Sequence, residues 1–312
     1  MDSEDAALRA GAAQALGEMG SLPAPALEAL VNRFWDLDAG VWRSAGEALA
    51  RLGPAAAAAL AGRLEVLQSG DAYARMRIEE VLGWMGPVGT AALARTLEAP
   101  RAKVRMHAAT ALGRLGAAAA QHAGALAARL CEDADAAVRL AAAEALARLG
   151  PPGAEVLTGC LASALPEARS RAADALGRMG GTAALALDGT LEVPRPEVRT
   201  AAARAVAQLG EAAATHAPAL ASRLFADPEP EVRRASAEAL KQLGRRGMAA
   251  TEACLGDEDV DVRSRAATLL EELRRTSASL AECNLQAGTP RSRAGGAGLT
   301  VERGCPGSPG RG

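Results

Sequence analysis

The sequence predicts an all-α protein, an α-solenoid of about eight stacked helix pairs with a disordered C-terminal tail. Three observations carry that expectation. A thirteen-residue pattern recurs nine times, a glycine closes eight of the copies, and alanine makes up much of an apolar fraction of 49% in which aromatics are only 2%. Alanine loses no side-chain entropy in a helix, and small residues let helix axes approach closely.

The copies are "LRAGAAQALGEMG" (8–20), "VWRSAGEALARLG" (41–53), "ARMRIEEVLGWMG" (74–86) and "VRMHAATALGRLG" (104–116). They continue as "VRLAAAEALARLG" (138–150), "ARSRAADALGRMG" (168–180), "VRTAAARAVAQLG" (198–210) and "VRRASAEALKQLG" (232–244). A ninth, "VRSRAATLLEELR" (262–274), lacks the glycine. Successive glycines stand 33, 33, 30, 34, 30, 30 and 34 residues apart, which suits two helices per repeat.

Numbered 1 to 13, each copy is apolar at positions 1, 5, 8, 9 and 12, as in Val104, Ala108, Ala111, Leu112 and Leu115. At about 100° per residue these share one side of a helix. Met106, His107, Thr110 and Arg114 are expected on the other side, at the surface. Proline and glutamate in "LPEAR" (165–169) and "RPEVR" (195–199) suit a first helical turn, and Asp135 or Asp227 can cap equivalent starts. The closing glycine suits a left-handed helix terminus.

Intervening helices are expected at 26–35, 57–67, 90–99, 125–133, 154–163 and 217–227. Each pair has two apolar stripes and buries both only by stacking on neighbours. Arginine fills position 2 in Arg9, Arg75, Arg105, Arg139, Arg169, Arg199, Arg233 and Arg263, next to acidic turns. A structural ladder with Asp133, Asp227 and Asp257 is expected. The chain opens directly in a repeated helix, so either a repeat is missing there or a partner covers the first stripe. The solenoid is expected over 1–275, and a Gly/Pro/Ser/Arg-rich disordered tail over 276–312.

The "VRxxAAxALGxLG" helices and turns such as "CEDADAAVR" and "FADPEPEVR" resemble the HEAT family of helical repeats, in the variant known from phycobilin lyases and deoxyhypusine hydroxylase. The resemblance implies a right-handed superhelix of HEAT-like pairs with the repeated helices on its concave side. It says little about function, because such folds host many roles. The hydroxylase relatives imply His-Glu dyads at positions 3 and 4 holding iron. Here those positions read Arg43-Ser44, Met76-Arg77, Met106-His107 and Leu140-Ala141 among others, and none is His-Glu. His107 alone makes a poor iron site and is expected to be a surface histidine.

Asp257, Asp259 and Asp261 fall short of a calcium loop, since Val262 and Thr268 stand where glycine and glutamate are needed. No phosphate-binding or nucleophile-elbow motif occurs. The expectation is therefore no catalytic residue, no cofactor and no metal. A phycobilin-lyase-like or other HEAT-repeat enzyme is the enzymatic alternative.

Net charge is −2, from 35 basic and 37 acidic residues, which with few aromatics disfavours a nucleic-acid scaffold. Five widely spaced cysteines, an acidic start and no long apolar run point to a soluble, cytoplasmic protein without a membrane segment. The expected function is a non-catalytic scaffold or adaptor that binds a protein or peptide segment in its groove. Oligomeric state is left open.

Exposed positions 4, 7 and 11 supply the candidate groove residues Trp84, Arg77, Glu80, Arg114, Arg148 and Arg178, with Trp42 at position 2. A basic lean there suits an acidic partner. The pairs Glu47–Arg51, Glu144–Arg148 and Asp174–Arg178 are expected to brace their own helices by about 0.2–0.5 kcal/mol each. Phe34, Trp35, Trp42, Tyr73 and Trp84 crowd into residues 34–84; Phe34 and Trp35 suit a core, Trp84 a binding anchor.

Overall fold

A computed structural model describes residues 3–64 and 72–287, and the chain divides into two units, 1–273 and 274–312. The nine repeated helices are α1 (Ala6–Glu18), α3 (Ala39–Arg51), α5 (Ala72–Trp84), α7 (Ala102–Leu115), α9 (Ala136–Arg148), α11 (Pro166–Arg178), α13 (Pro196–Leu209), α15 (Pro230–Gln242) and α17 (Val260–Ala287). Between them run α2 (Ala24–Arg33), α4 (Pro54–Arg63), α6 (Pro87–Thr96), α8 (Ala123–Glu132), α10 (Pro151–Cys160), α12 (Gly181–Ala186), α14 (Ala217–Ala226) and α16 (Arg245–Ala253). The first unit is an all-α solenoid: eight pairs follow the unpaired α1, and no strand occurs among the described residues.

Several intervening helices begin two or three residues earlier than hydrophobic periodicity suggests. Gly53, Gly86 and Gly150 have φ of 71°, 57° and 75°, and the prolines after them start α4, α6 and α10 directly. One glycine thus ends a helix and turns the chain, and a proline with no amide to satisfy opens the next. The short α12 and α16 were not distinguishable from loop by pattern. Helix α17 runs to Ala287, beyond the tail boundary expected at 276, and residues 288–312 lie outside the described residues.

Stacking widens the buried face. Each inner repeated helix has neighbours on three sides, so Ala109, Ala143 and Ala203 at position 6 are fully buried beside the expected core of Leu112, Leu146 and Val206. Position 10 is where repeated helices meet most closely: a Cβ on Gly17 or Gly113 would stand 2.7 Å from the Cα of Ala48 or Ala145.

The position-2 arginines do form a ladder. In Arg9, Arg105, Arg139, Arg169, Arg199, Arg233 and Arg263, Nη1 donates to two carbonyls of the preceding turn, five and six residues back. Three of them also reach forward to the next repeat. Arg9 grips Asp36 at 2.9 Å, Arg105 grips Asp133 at 2.7 Å, and Arg199 grips Asp227 at 2.7 and 2.8 Å. Each of these carboxylates also accepts the amide two residues on and faces a second arginine, Arg33, Arg129 or Arg223, at 3.7–3.8 Å.

Asp257 joins this ladder only through its carbonyl, which accepts Arg263 Nη1; its carboxylate grips no arginine and accepts the Asp259 amide of its own turn. Asp227 is likewise no helix cap, because its oxygens are committed to Arg199 and to the Glu229 amide, whereas Asp135 caps α9 as expected. A longer period lies over the short one. The 3-10 segments Gly116–His122 and Gly210–His216, the gripped Asp133 and Asp227, and Cys160 and Cys254 all recur at an interval of 94 residues, three repeats apart.

Candidate functional site

On α5, Tyr73, Arg77, Glu80 and Trp84 are spaced to share one helix face. Tyr73 is 69% exposed, Trp84 45%, and the neighbouring Met76 45%. The Arg77 guanidinium lies 4.6 Å from the centroid of the Trp42 ring and 5.4 Å from that of Tyr73, and its Nη1 donates to the Phe34 carbonyl at 3.4 Å. Such stacking orders a long cation against aromatic faces. Phe34, fully buried, meets Trp35 and Trp42 edge-on at 5.7 and 6.2 Å. Trp42 therefore trades the arginine hook of its position for a platform under Arg77.

Trp84 leans on α3. A Cβ on Gly46 would stand 3.2 Å from the Trp84 ring, so the glycine makes room for the indole while the rest of the ring meets solvent. Glu80 is exposed on the same helix.

Sequence reasoning missed the neighbour of Glu80. Glu79 sits at position 6, where the other eight copies have alanine or glycine, and it is only 6% exposed. Burial pushes its carboxyl above the usual range, although Arg114 Nη1 on α7 donates to it at 2.5 Å. The lone acid in a column of small residues was the available signal.

His107 is a correction. It is 7% exposed, not a surface histidine, and its Nε2 lies 3.4 Å from Arg75 Nη1. Burial, then Arg75 and Lys103, pull its pKa below the usual histidine value. Position 4 is buried in other copies as well, at Ala141 and Ala201, so the stacked repeats cover it and the expectation that it faces outward fails there. His122 meets Thr90 at 3.2 Å, and the buried His216 meets the Ala184 carbonyl at 2.9 Å; both close a 3-10 segment.

The expected braces within helices are absent. Among the described residues Arg51, Arg148 and Arg178 form no ion pair with Glu47, Glu144 and Asp174, and Asp174 instead accepts Gln208 Nε2 from the next repeated helix at 2.6 Å. All three arginines are exposed, and the Arg114 side chain is 51% exposed. The fold thus gathers Trp42, Arg77, Glu80 and Trp84 on α3 and α5 and joins Arg114 to them through Glu79. Arg148 and Arg178 continue at the same repeat position on α9 and α11.

Elsewhere, burial pushes the Cys160 thiol well up, with Cys131 beside it adding to the effect. Asp257 and Asp259 spend carboxylate oxygens on turn amides. Among the described residues no three His, Cys, Asp or Glu side chains group as a metal site, and no helix is long and apolar enough to cross a membrane.

Residues 123–188 and 157–241 match the family described as HEAT repeats. No curated protein matches the chain. Among solved structures, human deoxyhypusine hydroxylase in complex with glycerol is 25% identical, over 80% of this chain and 96% of that one, with a TM-score of 0.31. The CpcE–CpcF complex of phycocyanin lyase from Nostoc is 25% identical, over 70% and 94%, with a TM-score of 0.29. Kap121p is 14% identical, over 84% of this chain and 36% of that one, with a TM-score of 0.41.

Proposed function

We propose that the chain, whose residues 123–241 match HEAT repeats, serves as a non-catalytic interaction scaffold whose repeated helices bind a segment of a partner protein. The observation that supports this most directly is the α5 face. Tyr73 and Trp84 spend large apolar surface on solvent at positions where the other copies carry small or polar residues, and Met76 does so at a position that Met106 and Leu140 also fill with large apolar side chains. Exposed aromatics beside an ordered arginine are the composition of interface hot spots. Trp84, Arg77 and Glu80 form the anchor, Trp42 holds Arg77 in place, and Arg114, Arg148 and Arg178 extend the face with positive charge suited to an acidic partner.

The test is Trp84→Ala. Truncation of a hot spot costs about 2 kcal/mol or more, roughly thirtyfold in affinity. Partners retained by the wild-type chain should be lost by the variant while circular dichroism stays the same. Unchanged retention would remove Trp84 from the interface and show the α5 anchor to be wrong.

A further inference from the structure

Position 11 forms an unbroken row of exposed side chains across five consecutive repeated helices: Arg51, Trp84, Arg114, Arg148 and Arg178. Glu18 on α1 and Gln208 on α13, the latter tied to Asp174, are exposed at the same position but end the run of arginines. Arg51, Arg148 and Arg178 have no hydrogen bond or ion pair within the chain among the described residues, and Arg114 keeps most of its donors free beyond Glu79. A guanidinium fork matches a carboxylate with two parallel hydrogen bonds. One helical turn away, Glu47, Glu80, Glu144 and Asp174 form a parallel acidic line, about 5–6 Å off.

Spacing selects the shape of the ligand. Packed helices stand about 8–10 Å apart, so the arginines recur at about that interval. A polyproline-II chain has three residues per turn and rises about 3.1 Å per residue, so every third side chain returns to the same face after about 9.3 Å. A β-strand returns to one face after about 6.8 Å and an α-helix after about 5.4 Å, and neither keeps step.

We propose that this row binds a polyproline-II segment of a partner protein carrying Asp or Glu at every third residue, with an apolar residue set against Trp84. The assignment rests on the scaffold reading and deepens it. The acidic line beside the arginines adds selectivity. A flexible polyacid strays over Glu47, Glu80, Glu144 and Asp174 and is repelled, whereas a stiff helix with its acids on one face avoids them.

The experiment is fluorescence anisotropy at low salt with the full chain and a labelled Glu-Pro-Pro peptide of five triplets in which leucine replaces the second or the fourth glutamate, so that it meets Trp84 in either chain direction. Comparison ligands are Lys-Pro-Pro and Glu-Gly-Gly triplets of the same length and a single-stranded RNA homopolymer. The wild type should bind the Glu-Pro-Pro peptide at least about fivefold more tightly than Glu-Gly-Gly and leave Lys-Pro-Pro unbound. An exposed ion pair is worth up to about fivefold, so Arg148→Glu with Arg178→Glu should lose about tenfold or more at unchanged helicity.

No binding, equal binding of both charge signs, an undiminished charge-reversed variant, or tighter RNA binding through the same arginines overturns the proposal. The two readings fail separately. If Trp84→Ala still abolishes partner retention while the peptide does not bind, the acidic segment is wrong and the scaffold stands. If the peptide binds through Arg148 and Arg178 while Trp84→Ala retains its partners, the arginine row stands without the anchor.

Discussion

Arg199 and Asp227 show what a single position contributes to this array. Their side chains are 6% and 0% exposed, so removing one strands the other away from water. Arg199→Ala should cost about 3–5 kcal/mol, the range for breaking a buried ion pair. Arg139 makes the same two carbonyl bonds but grips no carboxylate, and Arg139→Ala should cost about 1–2 kcal/mol. Urea unfolding of the two variants checks the order, and equal losses would deny the carboxylate its role. Acid has a matching signature. Burial is the largest single effect and works to raise the Asp133 and Asp227 carboxyls, but the gripping Arg105 or Arg199, the turn amide and the second arginine together outweigh it and the net shift is downward. That stability is present above about pH 4 and is lost as pH falls through the lower folded values. His107 acts in a higher window. Its folded pKa lies below the ordinary value of about 6.5, so the unfolded chain takes up the proton first and stability falls as pH drops below about 6.5. Alanine already occupies this position at Ala141, Ala201 and Ala235, and His107→Ala should make the loss of stability below about pH 6.5 less steep. An unchanged slope in denaturant titrations would contradict the assignment.

At the scale of the element, the repeated helix is set by local chemistry and its packing by which positions stay small. Gly113→Ala places a Cβ 2.7 Å from the Ala145 Cα, a backbone atom that yields only if α7 and α9 separate. The cost should be about 1–3 kcal/mol. At Gly11 a Cβ meets nothing within 4 Å, and Gly11→Ala should instead gain up to about 1 kcal/mol of helix propensity. Opposite shifts of the unfolding midpoint check this contrast. The repeated helices were legible because apolar period, proline start and closing glycine are all local signals. The starts of α4, α6 and α10 were misplaced because one glycine serves two helices. The 3-10 segments after Leu115 and Leu209 were hidden because alanine-rich text fits either helix type.

For the molecule as a whole, the repeat made the solenoid readable, and the exceptions to the repeat carry the functional argument. Trp84 was legible as exposed because position 11 faces outward in every copy. The burial of Glu79 and His107 was not, since positions 6 and 4 are covered only once neighbouring repeats stack, as Ala143 and Ala141 show in another copy. Nor could spacing separate the gripped Asp133 and Asp227 from Asp257, which folds back on its own turn. The central claim is that the repeated-helix face, rather than the intervening-helix face, meets the partner. Leu185 on α12 provides the control, being 77% exposed among intervening helices. The direct measurement is photo-cross-linking from an unnatural residue at position 73, on the α5 face beside the Trp84 anchor, or at position 185, in the presence and absence of excess wild-type chain. A saturable protein adduct at 73 that wild-type chain competes away, with none at 185, is the predicted result. No adduct at 73, or equal adducts at both positions that competition leaves untouched, would contradict it.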